Sequence, residues 1–243
     1  MAGIIKPGIL SAMLVAGLAV PAHAEDTKLT LTGSATFVTD YIFRSVSNSD
    51  QEPAAQPEFD LTYGKFYAYM WGSNTAFGDG IEIDYGAGIT PSWLGLDFNF
   101  AGLYYTYPGG TDIDYFELRT SAAHTFNKAL TLSIGNWWSP NNFGLNTQSD
   151  AIEFGASYAF AGKLWNFFTP SISGAVGRQL YEHEDIVPDY TYWNVGLTLG
   201  FMDHWSADVR YYDTDYSQAD CVINSGGTHN CDARAVGTIK ATF

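Results

Sequence analysis

Apolar and polar side chains alternate over long stretches of this chain, and the final stretch is the most regular. Residues 233–243 place Ile239, Ala241 and Phe243 on one face and Thr238 and Lys240 on the other. A period of two residues is typical of a β-strand, and a tilted strand of about 9–11 residues can cross a bilayer. The apolar face continues to the last residue, so it must be covered, either by lipid around a barrel or by a second sheet in a soluble sandwich.

The same alternation predicts eleven earlier strands. It is clear where Ile81 and Ile83 alternate with Glu82 and Asp84. The first predicted strand is much longer than the usual length of about 5–6 residues, which already favours a membrane barrel. The twelve predicted strands are 28–44, 56–63, 66–74, 81–90, 95–107, 114–126, 130–138, 151–160, 167–179, 190–201, 205–216 and 233–243.

The connections between these strands alternate in length. Those near residues 64, 92, 128, 163 and 203 are short, whereas those near residues 50, 78, 110, 145, 185 and 225 are mostly longer and more acidic. An even number of strands with short turns at one end and long loops at the other is typical of transmembrane barrels. The sequence therefore predicts an all-β fold, a transmembrane antiparallel β-barrel of about 12 strands in up-and-down order, with both termini on the periplasmic side.

Aromatic residues cluster near both ends of the predicted strands, where a membrane barrel carries interfacial girdles. The band at the short-turn end contains Tyr63, Phe66, Trp93, Phe126, Trp165, Phe201, Trp205 and Phe243. The band at the long-loop end contains Tyr41, Phe43, Tyr104, Tyr105, Tyr107, Trp137, Trp138, Tyr190, Tyr192, Trp193, Tyr211 and Tyr212. A soluble sandwich has no physical need for two such bands.

The first residues indicate export. Residues 1–24 contain one charged residue, Lys6, then an apolar run and the small-residue sequence Ala22-His23-Ala24. This pattern predicts a cleavable signal peptide. A membrane-anchoring helix is a weaker interpretation because the apolar run is short and Pro21 interrupts it. We expect residues 25–243 to form the barrel, located in the cell outer membrane.

Composition supports a surface that faces something other than water. Charged residues make up 15% of the chain, against about 25% in ordinary soluble domains, while aromatic residues make up 16%. The formal net charge is −15, and loss of residues 1–24 with Lys6 makes it −16. A nucleic-acid partner is therefore not expected, since phosphate backbones are bound by positive patches.

The chain has two cysteines, Cys221 and Cys231, in a segment rich in Gly, Asn and Ser. In an exported protein such a pair most simply forms a disulfide that closes a loop. A metal site with His229 as a third ligand is the alternative, but the oxidising compartment favours the disulfide. We predict no metal site and no cofactor.

Charged residues on the polar strand faces are expected to point into the barrel, because a Lys or Arg at the lipid midplane costs about 2–4 kcal/mol. Nine carboxylates and five basic groups form this candidate lumen lining: Asp40, Arg44, Glu58, Asp60, Glu82, Asp84, Asp97, Glu117, Arg119, Glu153, Asp208, Arg210, Arg234 and Lys240. Two interpretations remain open: a salt-bridge network that plugs the barrel, or an acid-rich pore that favours cations and neutral polar solutes.

No catalytic constellation is present in the sequence. His124 lies on an outward face, and no serine is marked out as its nucleophile, so we assign no catalytic residue and predict that the chain is not an enzyme. The cluster Glu182-His183-Glu184-Asp185 could hold a cation, although a solvated loop is the simpler interpretation.

One N-terminal motif resembles a known family. The motif comprises Thr39-Asp-Tyr-Ile-Phe-Arg44, Ser47, Asp50, Pro53-Ala54, Gln56, Asp60, Phe66-Tyr67 and Trp71-Gly-Ser-Asn74. It is similar to the signature of the TorF-type family of predicted proteobacterial porins, conserved outer-membrane proteins of unknown function. Ser45 and Asn48 depart from the expected Gly and Gln. The resemblance implies an outer-membrane barrel but no binding residues, and the roles of the motif residues Asp40, Arg44, Asp60, Ser73 and Asn74 are unproven.

Together, these patterns predict a porin that allows passive diffusion of small cationic or neutral polar solutes. A closed barrel with a structural or surface-binding role is the alternative. The expected partners are outer-membrane lipid, small solutes, and the barrel-assembly machinery, which the strand ending at Phe243 would engage. The sequence does not indicate an oligomeric state.

Overall fold

A closed barrel of twelve antiparallel strands forms the protein in the computed structural model, which describes residues 28–243. Each strand pairs with the next one in sequence, and the first also pairs with the last, which confirms the predicted fold class. The predicted signal peptide, residues 1–24, lies outside the described residues. The strands are β1 (Thr30–Val38), β2 (Ala54–Tyr63), β3 (Phe66–Asn74), β4 (Ile81–Ile89), β5 (Leu96–Thr106), β6 (Tyr115–Phe126), β7 (Leu130–Ser139), β8 (Ser149–Ala159), β9 (Thr169–Tyr181), β10 (Tyr190–Phe201), β11 (Trp205–Thr214) and β12 (Arg234–Thr242).

The barrel closes between β1 and β12. Ser34 pairs with Thr242 and Val38 with Thr238 in this ladder. The ladder extends to the end of the chain, because the backbones of Gly33 and Phe243 exchange two hydrogen bonds of 2.9 Å. No strand edge of the barrel wall is left without a partner, as a wall in contact with lipid requires.

The wall is apolar outside and polar inside. In β4, Ile81 and Tyr85 are exposed on the outer surface, whereas Glu82 and Asp84 are buried. Leu, Ile, Phe and Val side chains are exposed in the same alternating manner around the barrel. So much exposed apolar surface is characteristic of a membrane-embedded protein.

Five connections at one end of the barrel are turns and short hairpins, and six at the other end are loops of varied length. The turn at Gly64 and Lys65 joins β2 to β3, and Ser92–Trp93 forms a two-residue strand in the connection from β4 to β5. We name the connections at the other end L1 (39–53), L2 (75–80), L3 (107–114), L4 (140–148), L5 (182–189) and L6 (215–233).

L1 does not continue the wall, so the prediction of one strand over residues 28–44 was wrong in its second part. β1 ends at Val38, and L1 folds into the barrel as a small hairpin in which Ile42–Phe43 pairs with Val46–Ser47. Arg44 and Ser45 form its tip, both with positive φ (47° and 62°).

The aromatic band at the long-loop end is also only partly a girdle. Tyr104 and Tyr211 are exposed on the outer surface, as predicted for a girdle, but Tyr105, Tyr192 and Trp137 are buried inside the barrel. Strand parity separates the two sets: Tyr104 and Tyr105 are neighbours and therefore face opposite sides. At the short-turn end, Tyr63, Phe66, Trp93, Phe126, Trp165, Trp205 and Phe243 are all exposed.

L6 contains a helix that the sequence pattern did not predict. The helix α1 (Gln218–Ser225) begins after Ser217, whose hydroxyl caps the helix by accepting a hydrogen bond from the backbone N–H of Asp220. It is followed by Gly226, which has a positive φ of 74°. A disulfide joins Cys221 to Cys231, so these cysteines are not free to bind metal with His229. No helix within residues 28–243 is long and apolar enough to cross a membrane.

Replacing both Cys221 and Cys231 by serine should loosen L6 and leave the barrel wall intact. A disulfide spanning 10 residues stabilises by up to about 3 kcal/mol in the chain-entropy description, and less here because β11 and β12 already hold the loop ends together. We expect faster proteolysis within residues 215–233 and an unchanged heat-resistant band on gels. Reduced wild type is the control, and two reactive thiols in the unreduced, denatured protein would contradict the assignment.

Candidate functional site

The tip of L1 crosses the barrel and contacts the opposite wall. The Arg44 guanidinium lies 2.9 Å from Glu117 on β6 and donates to the Gln179 side-chain oxygen on β9, also at 2.9 Å. L1 follows β1. Counted around the barrel, β6 is five strands from β1 in one direction and β9 is four strands from it in the other. We call Arg44, Glu117 and Gln179 the cross-barrel latch.

The latch is inaccessible to solvent and rich in aromatic neighbours. Glu117 is 0% exposed and Gln179 1% exposed. The Arg44 guanidinium carbon lies 4.6 Å from the Phe43 ring centre and 6.0 Å from that of Trp137, within the range of cation–π attraction. Burial lowers the pKa of Arg44, but Glu117 and nearby tyrosines raise it more, so the net pKa lies well above its usual range and the group stays charged.

The base of L1 is held by Asp40. Its carboxylate accepts hydrogen bonds from the hydroxyls of Ser47 (2.6 Å) and Ser49 (3.0 Å). Its other oxygen accepts one from Arg234 on β12 at 2.7 Å. Tyr41 packs edge-on against Trp71, with ring centres 5.3 Å apart. These contacts fix L1 against its own side of the barrel while the latch fixes its tip to the other side.

Three buried carboxylates beside the latch have incomplete hydrogen bonding. Glu82 accepts from the Tyr107 hydroxyl at 3.1 Å. One oxygen of each of Glu82, Asp84 and Glu153 has no hydrogen-bond partner within the described residues. All three carboxylates are at most 3% exposed. A buried carboxylate without a partner costs free energy, so these groups call for water, a proton or a cation in the barrel interior.

Two further pairs of interior charges neutralise each other. Lys240 on β12 lies 3.3 Å from Glu58 on β2. The two strands are the neighbours of β1 on either side, so this ion pair crosses β1. Arg210 lies 3.3 Å from Asp208 and donates to the side chain of Asn194 at 2.7 Å. Such buried pairs add no net charge to the barrel interior. The three carboxylates near the latch differ, because each has an oxygen without a partner within the described residues.

All fourteen charged residues predicted to face the interior are buried or half-buried. Half-buried positions are occupied by Asp60, Asp97, Arg119 and Arg234. Buried positions are occupied by Asp40, Arg44, Glu58, Glu82, Asp84, Glu117, Glu153, Asp208, Arg210 and Lys240. Asp40 and Arg44 lie in L1 and not on a wall strand, as the corrected end of β1 requires.

Sequence reasoning missed Gln179 and the inward aromatic residues. The alternation of inner and outer positions along each strand could have identified them. Gln179 is two residues from Gly177 and therefore lies on the inner face of β9. Tyr105 lies on the same inner face of β5 as Asp97 and Asn99. Tyr105 donates to Glu117 at 3.0 Å, so it extends the hydrogen bonding of the latch. The sequence could not show that L1 would place Arg44 against these residues.

A cavity of about 640 Å³ lies between the latch and the loops. We call it the vestibule. L1, L2, L4, L6 and the ends of β9 and β10 surround it, together with Ile113 of L3. Arg44 and Gln179 of the latch contribute to its lining, and the aromatic residues that line it are Phe43, Phe77, Phe143, Tyr181 and Tyr190.

The remaining polar candidates do not form a reactive site. His124 faces outward, where its Nδ1 lies 2.6 Å from the Gly95 carbonyl oxygen and its ring packs against Phe126. Glu182, Glu184 and Asp185 are exposed in L5. Within residues 28–243, no three His, Cys, Asp or Glu side chains are grouped closely enough to hold a metal ion.

Comparison of this barrel with solved structures finds porins of similar fold. A KdgM porin superimposes with a TM-score of 0.59 at 6% sequence identity, covering 87% of this chain and 99% of that one. A KdgM porin in complex with disordered oligogalacturonate gives 0.58 at 6% identity, covering 88% and 99%. The NanC porin gives 0.52 at 10% identity, also covering 88% and 99%. At these identities the likeness concerns the fold, which is a porin-like barrel.

Sequence comparison identifies the family. No curated protein matches the chain significantly. The family model Gcw_chp, described as a bacterial protein of unknown function, matches residues 22–243 and therefore spans the whole barrel. The chain belongs to the Gcw_chp family of bacterial proteins of unknown function.

Proposed function

We propose that this protein is an outer-membrane porin through which small cationic or neutral polar solutes diffuse passively, with L1 narrowing the lumen. In this proposal the fourteen charged residues predicted from the sequence face the lumen. Twelve of them lie on the wall strands, and Asp40 and Arg44 lie on L1 inside the barrel. The observation that carries it is the set of buried carboxylates Glu82, Asp84 and Glu153, each with an unpartnered oxygen facing the interior of a closed barrel.

The expected cation preference follows from the carboxylates inside the barrel that no basic side chain neutralises. Glu117 is matched by Arg44, Glu58 by Lys240, and Asp208 by Arg210. One oxygen of each of Glu82, Asp84 and Glu153 has no partner within the described residues. Unbalanced negative charge in a narrow, low-dielectric channel concentrates cations and repels anions. The same charge argues against polyanions such as the oligogalacturonate bound by the KdgM porin.

The cellular setting is part of the proposal. The predicted signal peptide would export the chain, and the apolar outer surface would contact outer-membrane lipid. The strand that ends at Phe243 would be the one that the barrel-assembly machinery engages. The N-terminal motif supports the finer likeness to TorF-type predicted porins, and a role in diffusion rather than catalysis is part of the same proposal.

We expect a cation-selective reversal potential when the purified protein is placed in planar bilayers under a salt gradient. The preference should weaken at high salt, because the Debye length falls from about 10 Å at 0.1 M to about 3 Å at 1 M. Anion selectivity would contradict the assignment of the inner face. The gradient should be applied in both directions so that an offset of the electrodes is not mistaken for selectivity.

A closed barrel with a structural or surface-binding role is the second candidate, and the latch is the observation that favours it. Glu117 is 0% exposed, so water has no access to this carboxylate while L1 is docked. Absence of conductance in both wild type and variants that release L1 would favour this function over diffusion.

A further inference from the structure

The vestibule has the size of a ligand site. Its volume of about 640 Å³ falls within the range of about 300–1,000 Å³ found for small-molecule pockets. Its walls come from several separate loops, and the disulfide between Cys221 and Cys231 constrains the L6 part of that wall. The latch contributes Arg44 and Gln179 to the lining, so a ligand here would contact the residues that close the barrel.

Two buried amide side chains in this lining each have one polar atom without a hydrogen-bond partner in the described part of the chain. Gln179 is 1% exposed and its Nε2 has no hydrogen-bond partner within the described residues, although its Oε1 accepts from Arg44. Asn230 is 6% exposed and its Oδ1 is also unpartnered there. One of these atoms is a donor and the other an acceptor. Buried groups of this kind cost free energy unless water or a ligand satisfies them, and both belong to residues of the vestibule lining.

Aromatic rings supply flat apolar surface beside these amides. Phe77 and Phe143 contact each other with ring centres 5.7 Å apart, and Tyr190 also belongs to the cavity lining. Phe143 also stacks on Tyr115 at 5.0 Å, which holds its ring in place. Pockets of this composition bind ligands that combine apolar faces with a few oriented polar groups.

The charge of the lining selects among such ligands. Arg44 is its basic residue, and Glu117 already neutralises that guanidinium. Asp50 is the acidic residue in the lining and is exposed. A carboxylated or phosphorylated ligand would find no unpaired cation, while a strongly cationic ligand would find one solvated carboxylate. The lining therefore suits an uncharged ligand.

We propose that the vestibule binds a neutral mono- or oligosaccharide. A sugar ring has apolar C–H faces for Phe77 and Phe143, and its hydroxyls both donate and accept hydrogen bonds, so they match Gln179 and Asn230. This binding function goes beyond diffusion through the barrel, because it requires only the loop side of the protein and holds whether or not the lumen conducts.

The test is isothermal titration calorimetry on the full-length protein in an amine-oxide detergent, since a glycoside detergent would compete. The probes are maltose and sucrose as neutral sugars, mannitol as a polyol without a ring, and oligogalacturonate as an anionic sugar. Phe143→Leu removes a ring face while keeping an apolar side chain, and Asn230→Ala removes the acceptor. Phe160→Leu at the short-turn end and the exposed Gln218→Ala are the matched controls.

We expect a neutral sugar to bind wild type and both controls equally, and to bind Phe143→Leu and Asn230→Ala about tenfold more weakly, a factor equivalent to about 1.4 kcal/mol. Heat-modifiable migration on gels verifies that each variant is folded. The proposal is overturned if neither neutral sugar binds, if oligogalacturonate binds in their place, or if both folded vestibule variants bind like wild type. Because conductance is measured separately, a non-conducting barrel that binds sugar would reject diffusion and retain the vestibule site.

Discussion

Replacing Arg44 by alanine is expected to release the tip of L1 from the far wall and to raise the single-channel conductance. Arg44 is the residue of L1 that holds Glu117 and Gln179 together, and both partners are almost fully buried. The alanine variant leaves the Glu117 carboxylate without its cation. The free energy of the docked state therefore rises, while an undocked L1 lets water reach Glu117.

The size of this effect follows from the burial of the pair. Removing one partner of a buried ion pair typically costs about 3–5 kcal/mol. That cost shifts the equilibrium between docked and undocked L1 by about two to four powers of ten, at about 1.4 kcal/mol per tenfold. The twelve strands keep their ladders, so the loss should appear as loop release and not as unfolding of the barrel.

Two variants separate this explanation from a general effect of charge. Arg178→Ala removes an arginine whose side chain is 46% exposed on the outside of β9, and it should leave the conductance unchanged. Arg44→Ala combined with Glu117→Gln removes both charges, so it should keep the high conductance without leaving an unpaired carboxylate in the barrel. A conductance of Arg44→Ala equal to that of wild type would show that L1 does not limit the channel.

The barrel could be predicted from the sequence because its wall obeys one local rule. Outer positions such as Ile81 and Tyr85 face lipid and inner positions such as Glu82 and Asp84 face the interior, so a period of two persists wherever the chain is in the wall. Strand number, strand order and the direction of side chains all follow from that period. The alternating turn lengths then indicate which end carries the loops.

The latch could not be predicted, because it depends on contacts between distant parts of the chain. Residues 39–43 alternate as a strand does, yet L1 turns inward where Asp40 meets Arg234 and Tyr41 meets Trp71. Arg44 reaches Gln179, 135 residues later in the chain. Helix α1 was not predicted for a related reason. It is a single short segment stabilised by the Ser217 cap and by the disulfide, and neither feature produces a long periodic pattern in the sequence.

Neutralising Glu82 and Asp84 together, as Glu82→Gln with Asp84→Asn, is expected to remove most of the cation preference of the channel. These carboxylates are 1% and 3% exposed, and one oxygen of each lacks a partner among the described residues. Charges in such a position act on a passing ion through the low-dielectric interior, and therefore more strongly than charges exposed to bulk water. The reversal potential under a salt gradient should therefore move close to zero.

The matched control is Glu184→Gln with Asp185→Asn in L5, which changes the net charge of the protein by the same two units at exposed positions. Solvent screens those charges, so the control should keep the selectivity of wild type. Stability gives an independent readout: removing two poorly compensated buried charges should leave the thermal unfolding temperature of Glu82→Gln with Asp84→Asn unchanged or raise it. If the two double variants lose selectivity equally, the preference comes from the overall charge of the protein; if neither loses it, ions do not pass Glu82 and Asp84.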